Sequence, residues 1–466
     1  MSIKRVEYAP VVPPAAFAGV APVPLTDATL AERKGKVLAG MRAGGFDALL
    51  IYADKEHGGN FEYLTGFIPR FEEGLLLLEE NGNATLILGN ENLKMAPHSR
   101  IPVTLLHCPY FSLPNQPMKN EKPLDALLTE AGIGTKNKIG LVGWKMFTGR
   151  LADAAAFFDL PWFIVEAVKK SAAPGARIEN GVHLFIGANA GARTTNNANE
   201  IAHYEYGANL ASGCILNAMD AVEAGVTEAA LGQRLNAEGQ YPTVVTIAAA
   251  GRRFENANLY PTHKKVQKGD PLSMTTGFKG GLSSRTGFVV SEQSELPENQ
   301  RDYLERVAKP YFGAVACWLE SVHVGMQGGK LYALMETVLP KAQYGWHLNP
   351  GHLGADEEWL SSPVYPASQE QLRSGMILQI DIIPSVPGYA GVSAEECVAL
   401  ADAALQARIG EAYPALWRRI VTRRSYIREV LNIRLSDDVL PLSSAVAYLR
   451  PFLLAKDKAL RMRIQA

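Results

Sequence analysis

The segment TDATLAERKGKVLAGMRAGGFDALLIY, Thr26 to Tyr52, constrains the fold of this chain more than any other. A capping residue at Thr26 or Asp27 opens an amphipathic helix that runs through Met41, Gly44–Gly45 stops it, and the apolar strand Ala48 to Tyr52 follows at once. A helix feeding directly into an apolar strand is the unit of an α/β layer. Two more strands follow at GLLLLEE and ATLILGN, joined by the turn Asn81-Gly82-Asn83. A helical LDALLTEAG and a strand-like KIGLVGW continue the alternation to about residue 165, so residues 26–178 are expected to form one α/β domain.

Before it, residues 1–25 hold five prolines and little periodicity, which predicts an arm lying on something else. After it, KKSAAPGARIENG (Lys169 to Gly181) has the small residues of a linker. NANEIAHYEYGANLASGCILNAMDAVEAG then predicts one long helix ending at Gly225, and VTEAALGQRLNAEG a second, capped by Thr227. Short strands (TVVTIAAAG, PLSMTT, FVVSE), a helix over Tyr303 to Val322 and further strands (MILQIDIIP, ECVAL) come next. Helices followed by a curved, largely antiparallel set of strands predict an α+β domain over 179–402, and 403–466 read as a helical extension.

Bulk properties exclude several functions. At 466 residues the chain is too long for one ordinary core. Lys plus Arg is 46 against 47 for Asp plus Glu, a net charge of -1 that offers no long-range attraction to nucleic acid or an acidic membrane. Cys108, Cys214, Cys317 and Cys397 lie far apart without metal-ligand spacing, as free thiols do in a reducing compartment. The start lacks a signal-peptide core, and no apolar run approaches the roughly 18 residues of a membrane helix. The expectation is a cytoplasmic protein with a small-molecule substrate and neither nucleic-acid nor membrane partners.

Polar groups meet apolar surroundings in three places. YGWHLNPGHLGADEEW carries His347 and His352 with Asp356, Glu357 and Glu358 behind them. Asp381 interrupts the apolar MILQIDIIP, and burying a lone carboxylate is costly unless it is paired. In VSAEECVAL, Glu395 or Glu396 must face inward, because alternate strand residues point to opposite faces. His57, His98 and His263 read as ordinary loop histidines, and Glu357–Glu358 as a half-solvated pair. His352, Asp381 and Glu395 could form either a metal site or a general acid/base cluster. Spacing does not choose between the two.

The order of these features resembles the pita-bread family of creatinase, prolidase, aminopeptidase P and methionine aminopeptidase. EIAHYEYGANLASGCILNAMDAVEAGVTEAAL resembles its opening helices; VQKGD, Pro350-Gly351-His352, the Ser-Gly before MILQID and AEECVAL follow in order. LAERKGKVLAGMRAGGFDALLIY and FEYLTGFIPRFEEGLLLL resemble the creatinase-type N-terminal domain, and together the likeness spans about 26–402. It implies an α/β N-terminal domain followed by an α+β pita-bread catalytic domain. In the family's metal-dependent members two aspartates, a histidine and two glutamates hold two metals. Carried over, the aspartates fall on Thr275 and Ser284, the histidine on His352, the first glutamate on Asp381 and the second on Glu395. Two acids are lost and one is shortened, so no tightly held metal pair and no cofactor is expected; a single weak ion on the remaining three is the most they could hold.

Creatinase, which the resemblance offers as a metal-free precedent, uses a histidine proton shuttle whose place here is Asn258, and a later histidine falls on Trp359 or Leu360. The expectation is therefore a metal-independent, creatinase-like hydrolase of a carbon–nitrogen bond in a small polar molecule. His352 would be the general acid/base, with Glu395 and Asp381 orienting it or holding a cationic group. Asn258, Thr275, Ser284, Arg285 and His347 would bind the substrate. Arg70 and Phe71 match the turn that creatinase-like N-terminal domains extend toward a binding site, often a partner's, which implies a homodimer. The competing expectations are an aminopeptidase P or prolidase-type metallopeptidase with a rebuilt site, and a non-catalytic binding protein.

Overall fold

The computed structural model describes residues 5–149 and 153–463. The chain divides into two compact units, one of Leu25–Thr194 and one of the residues through Pro24 together with those from Thr195 onward. Strand β1 (Val6–Pro10) belongs to the second.

In the Leu25–Thr194 unit, six strands form a mixed sheet: β2 (Ala48–Ala53), β3 (Gly74–Glu79), β4 (Ala84–Leu88), β5 (Thr104–His107), β6 (Lys138–Val142) and β7 (Arg177–Asn180), in the order β5-β4-β3-β2-β6-β7. The hairpin strands β2, β3 and β4 pair antiparallel, whereas β4–β5, β2–β6 and β6–β7 pair parallel. The helix Asp27–Gly44 starts where the Thr26 hydroxyl accepts the Thr29 N–H at 3.2 Å and stops at Gly45, whose φ of 65° suits glycine. The expected linker is not one. Its first residues end the helix Trp162–Ser171 and its last form β7, which supplies partners to the edge of β6, so the boundary lies after Thr194 instead of at 178.

The second unit has the α+β pita-bread architecture. Its strands are β8 (Ile247–Ala250), β9 (Pro271–Phe278), β10 (Gly281–Phe288), β11 (His352–Leu353), β12 (Ile377–Gln379), β13 (Ser393–Glu395), β14 (Cys397–Leu400), β15 (Val439–Pro441) and β16 (Lys458–Met462). All but β16 make two antiparallel sheets, β13-β10-β9-β8 and β11-β12-β14-β15. Only Glu396 separates β13 from β14, so one stretch of chain runs from the first sheet into the second. The long helix Ala198–Asp220 begins in a capping box between Asn197 and Glu200 and packs on β9 and β10. Its approach is close at Gly207, where a Cβ would lie 1.9 Å from the Lys279 carbonyl oxygen.

The two chain ends belong to this unit as well. β1 pairs with β16, and the Tyr426 hydroxyl donates to Val12 O at 2.8 Å, so the proline-rich arm is strapped to the body. The tail is not simply helical. Helices Ala403–Ala412 and Pro414–Ser425 lead to β15, which completes the second sheet, and to β16. Pro441 is tolerated because β15 is an edge strand. No helix among the described residues is long and apolar enough to cross a membrane.

Candidate active site

His352, Asp381 and Glu395 meet although they arrive from three places, on β11, just past the end of β12 and at the end of β13. Gly351, at φ 131°, turns the chain into β11, and the preceding Pro350 carbonyl is held by Trp318 Nε1 at 2.8 Å. His352 pairs with Gln379 on β12, two residues before Asp381; Glu395 ends β13 opposite Ser284 on β10. Ligand-type atoms of the three side chains lie within 4.8 Å of one another. His352 Nε2 is 3.9 Å from Asp381 Oδ2 and 3.9 Å from Glu395 Oε1, too long for a direct hydrogen bond and short enough for one shared atom to bridge. All three are buried, and among the described residues His352 Nε2 and Asp381 Oδ1 have no hydrogen-bond partner. Buried polar atoms are usually paired, so two orphans on neighbouring side chains mark a place prepared for something else.

The electrostatics follow from the burial. Burial pushes the Asp381 and Glu395 carboxyls up to about 8; the Glu395 charge adds to the effect on Asp381, and that of Glu358 to the effect on Glu395. Burial also lowers the His352 imidazole, outweighing the nearby Asp381 and Glu358 charges that favour protonation. His352 Nδ1 faces the Leu353 carbonyl at 3.3 Å; a carbonyl only accepts, so Nδ1 carries the hydrogen and Nε2 presents a lone pair to the acids.

Facing the acids is a neutral pair. Thr275 and Ser284 sit directly opposite each other on β9 and β10, and their hydroxyls hydrogen-bond at 2.8 Å. One hydrogen is spent within the pair and one remains to donate. These are the places where the family resemblance puts two metal-binding aspartates. Hydroxyls tied to each other supply no charge, so the donor set fits a single ion and does not fit a pair.

Other expected site residues stand elsewhere. Arg285 is bound up on the opposite face of β10, pairing with Glu396 at 2.8 Å and donating to the Tyr448 carbonyl, so a substrate-binding role gives way to a structural one. Asn258 and His347 are exposed on loops, whereas the cluster is buried. Arg70 and Phe71 lie in the Leu25–Thr194 unit, in the turn before β3, where Phe71 is exposed with φ 69°. Two residues of the loop after His352, to which the sequence assigned no role, join the cluster. Glu358 acts on all three members electrostatically, and Trp359 stacks on His352 with centroids 4.0 Å apart. A turn that folds back over His352 leaves no periodic signal, so Glu358 was read as half-solvated and Trp359 only as a place where the family has a histidine.

Comparisons with known proteins agree with this fold. Residues 202–402 match metallopeptidase family M24. Over this segment the chain is similar to that family. The M24 match ends two residues after β14, and it contains the whole cluster. Among solved structures, prolidase from Pyrococcus horikoshii OT3 is 20% identical with a TM-score of 0.60, over 79% of this chain and 95% of that one. Xaa-Pro dipeptidase from Bacillus anthracis is 16% identical with a TM-score of 0.60, over 79% and 94%. Aminopeptidase PepP from Pseudomonas aeruginosa is 16% identical with a TM-score of 0.55, over 81% and 93%. At such identities the likeness is one of fold. Comparison with curated protein sequences finds no match.

Proposed function

We propose that the M24-like domain hydrolyses a carbon–nitrogen bond in a small polar molecule without the metal pair of its metal-dependent relatives. One observation carries this reading: the unpartnered, fully buried Nε2 of His352 faces two carboxyls whose protons burial retains. The cluster holds a base and an acid side by side at neutral pH. Water bound between them would give a proton to Nε2 as its oxygen adds to the carbon. As the carbon–nitrogen bond breaks, the leaving nitrogen would take a proton from Asp381 or Glu395. The spare hydrogen of the Thr275–Ser284 pair would stabilise the oxygen or nitrogen on which charge develops.

A specific observation also favours a second reading. The ligand-type atoms of His352, Asp381 and Glu395 are close enough to hold one divalent ion, as a rebuilt peptidase of the prolidase or aminopeptidase P type would need. We further infer a homodimer in the cytoplasm. Its support is the free, buried state of all four cysteines and the exposed Trp144, Trp162 and Phe163 of the Leu25–Thr194 unit.

A screen of guanidino, amide and dipeptide substrates tests the reading. His352→Gln should retain the fold and lose about 10²–10⁴-fold in kcat/KM on whichever compound is turned over. Full activity in that variant would refute the assignment.

A further inference from the structure

The buried cluster has one aromatic neighbour that solvent also touches. Trp359 lies 25° from parallel over the His352 imidazole; the imidazole is 0% exposed whereas the Trp359 residue remains 39% exposed. One face of the indole therefore covers the histidine while the remainder meets water. Its loop is fastened at the base, with Leu353 N–H donating to Ser361 O at 2.8 Å and Leu360 N–H to Leu353 O at 2.9 Å. It is fastened at the shoulder too, where Gly280 N–H donates to Ala355 O at 2.7 Å and the Tyr204 hydroxyl to Asp356 Oδ2 at 3.0 Å. The backbone is thus tied down and the side chain is the movable part. Thr275, Ser284, Asp381 and Glu395 are buried as His352 is.

We propose that Trp359 gates the site: a ligand reaches His352 Nε2 when the indole swings off the imidazole, and a flat group then takes the vacated stacking position. Trigonal carbon–nitrogen groups such as amides, amidines and guanidines fit a slot of stacked-ring thickness, and branched tetrahedral centres do not. A stacked aromatic pair favours the closed arrangement by roughly tenfold, enough to shield the cluster from bulk solvent without barring entry. The inference rests on the His352 cluster being the working site, but its test needs no substrate.

Diethylpyrocarbonate acylates accessible neutral imidazoles, and peptide mass spectrometry reads each histidine separately. In Trp359→Ala, His352 should be acylated about tenfold faster than in the wild type while the exposed His347 keeps its rate. Trp359→Phe, which retains a flat cover, should leave His352 protected. Equal His352 rates in wild type and Trp359→Ala overturn the gate, as does acceleration of His352 and His347 together in a folded variant. Should Trp359→Ala lose its cooperative melting transition, Trp359→Leu, which keeps bulk without a ring, carries the same two outcomes. Loss of turnover in His352→Gln bears on the catalytic reading alone, so the two can fail separately.

Discussion

Glu395 and Glu396 are neighbours in sequence, both buried, and they live in opposite surroundings. Glu396 meets the Arg285 guanidinium at 2.8 Å and the hydroxyls of Ser283, at 2.8 Å, and Ser443. Glu395 meets only a 3.5 Å contact from Gln379 Nε2 and looks across 3.9 Å at an imidazole whose facing nitrogen is unpartnered. The chain can surround a buried carboxylate with a guanidinium and two hydroxyls, and does so one residue away, so the sparser shell at Glu395 is a feature of the site rather than a limit of the fold.

The largest test of this contrast removes the satisfied acid. Glu396→Ala strands the Arg285 charge in the interior and should cost about 3–5 kcal/mol in a denaturant titration, whereas Glu395→Gln should cost little or stabilise. Equal losses would erase the distinction between the two faces.

A second test restores what the hydroxyl side lacks. Thr275→Asp combined with Ser284→Asp should melt lower than the wild type without metal and recover in manganese, by about 2.7 kcal/mol at a hundredfold excess over Kd. The wild type should show a smaller shift. Matching shifts would mean that the hydroxyls are no obstacle to a metal pair.

A smaller effect follows from the acids themselves. Burial raises the Asp381 carboxyl to about 8, so it stabilises the fold while protonated. That contribution is full below the unfolded carboxyl's pKa, near 4, and is lost as pH rises through about 8. Asp381→Asn stays neutral throughout, so its Tm should match the wild type at pH 4 and exceed it by about 2 °C or more at pH 9. A parallel pair of curves would place Asp381 in an environment that does not resist its charge.

Much of this was legible in the sequence. The helix–glycine–strand unit, the Asn81-Gly82-Asn83 hairpin and the inward-facing Asp381 follow from local periodicity and turn chemistry, and the structure has them. Arg285 shows a signal that was present and misread. Strand residues alternate faces, so Ser283 and Arg285 share one side and Ser284 takes the other, which separates the Glu396 pair from the Thr275 pair. The strands of the tail were not legible, since β15 and β16 are short edge pieces whose stability comes from partners far away in sequence. Nor was Trp359, because a loop's side-chain direction depends on tertiary contacts.

The most direct measurement is turnover before and after exhaustive chelation, with a substrate found in the screen. Wild-type kcat/KM should survive removal of divalent ions, and His352→Gln should be inactive in both conditions. Loss of wild-type turnover on chelation, restored by a divalent ion, would contradict chemistry that His352, Asp381 and Glu395 perform without metal.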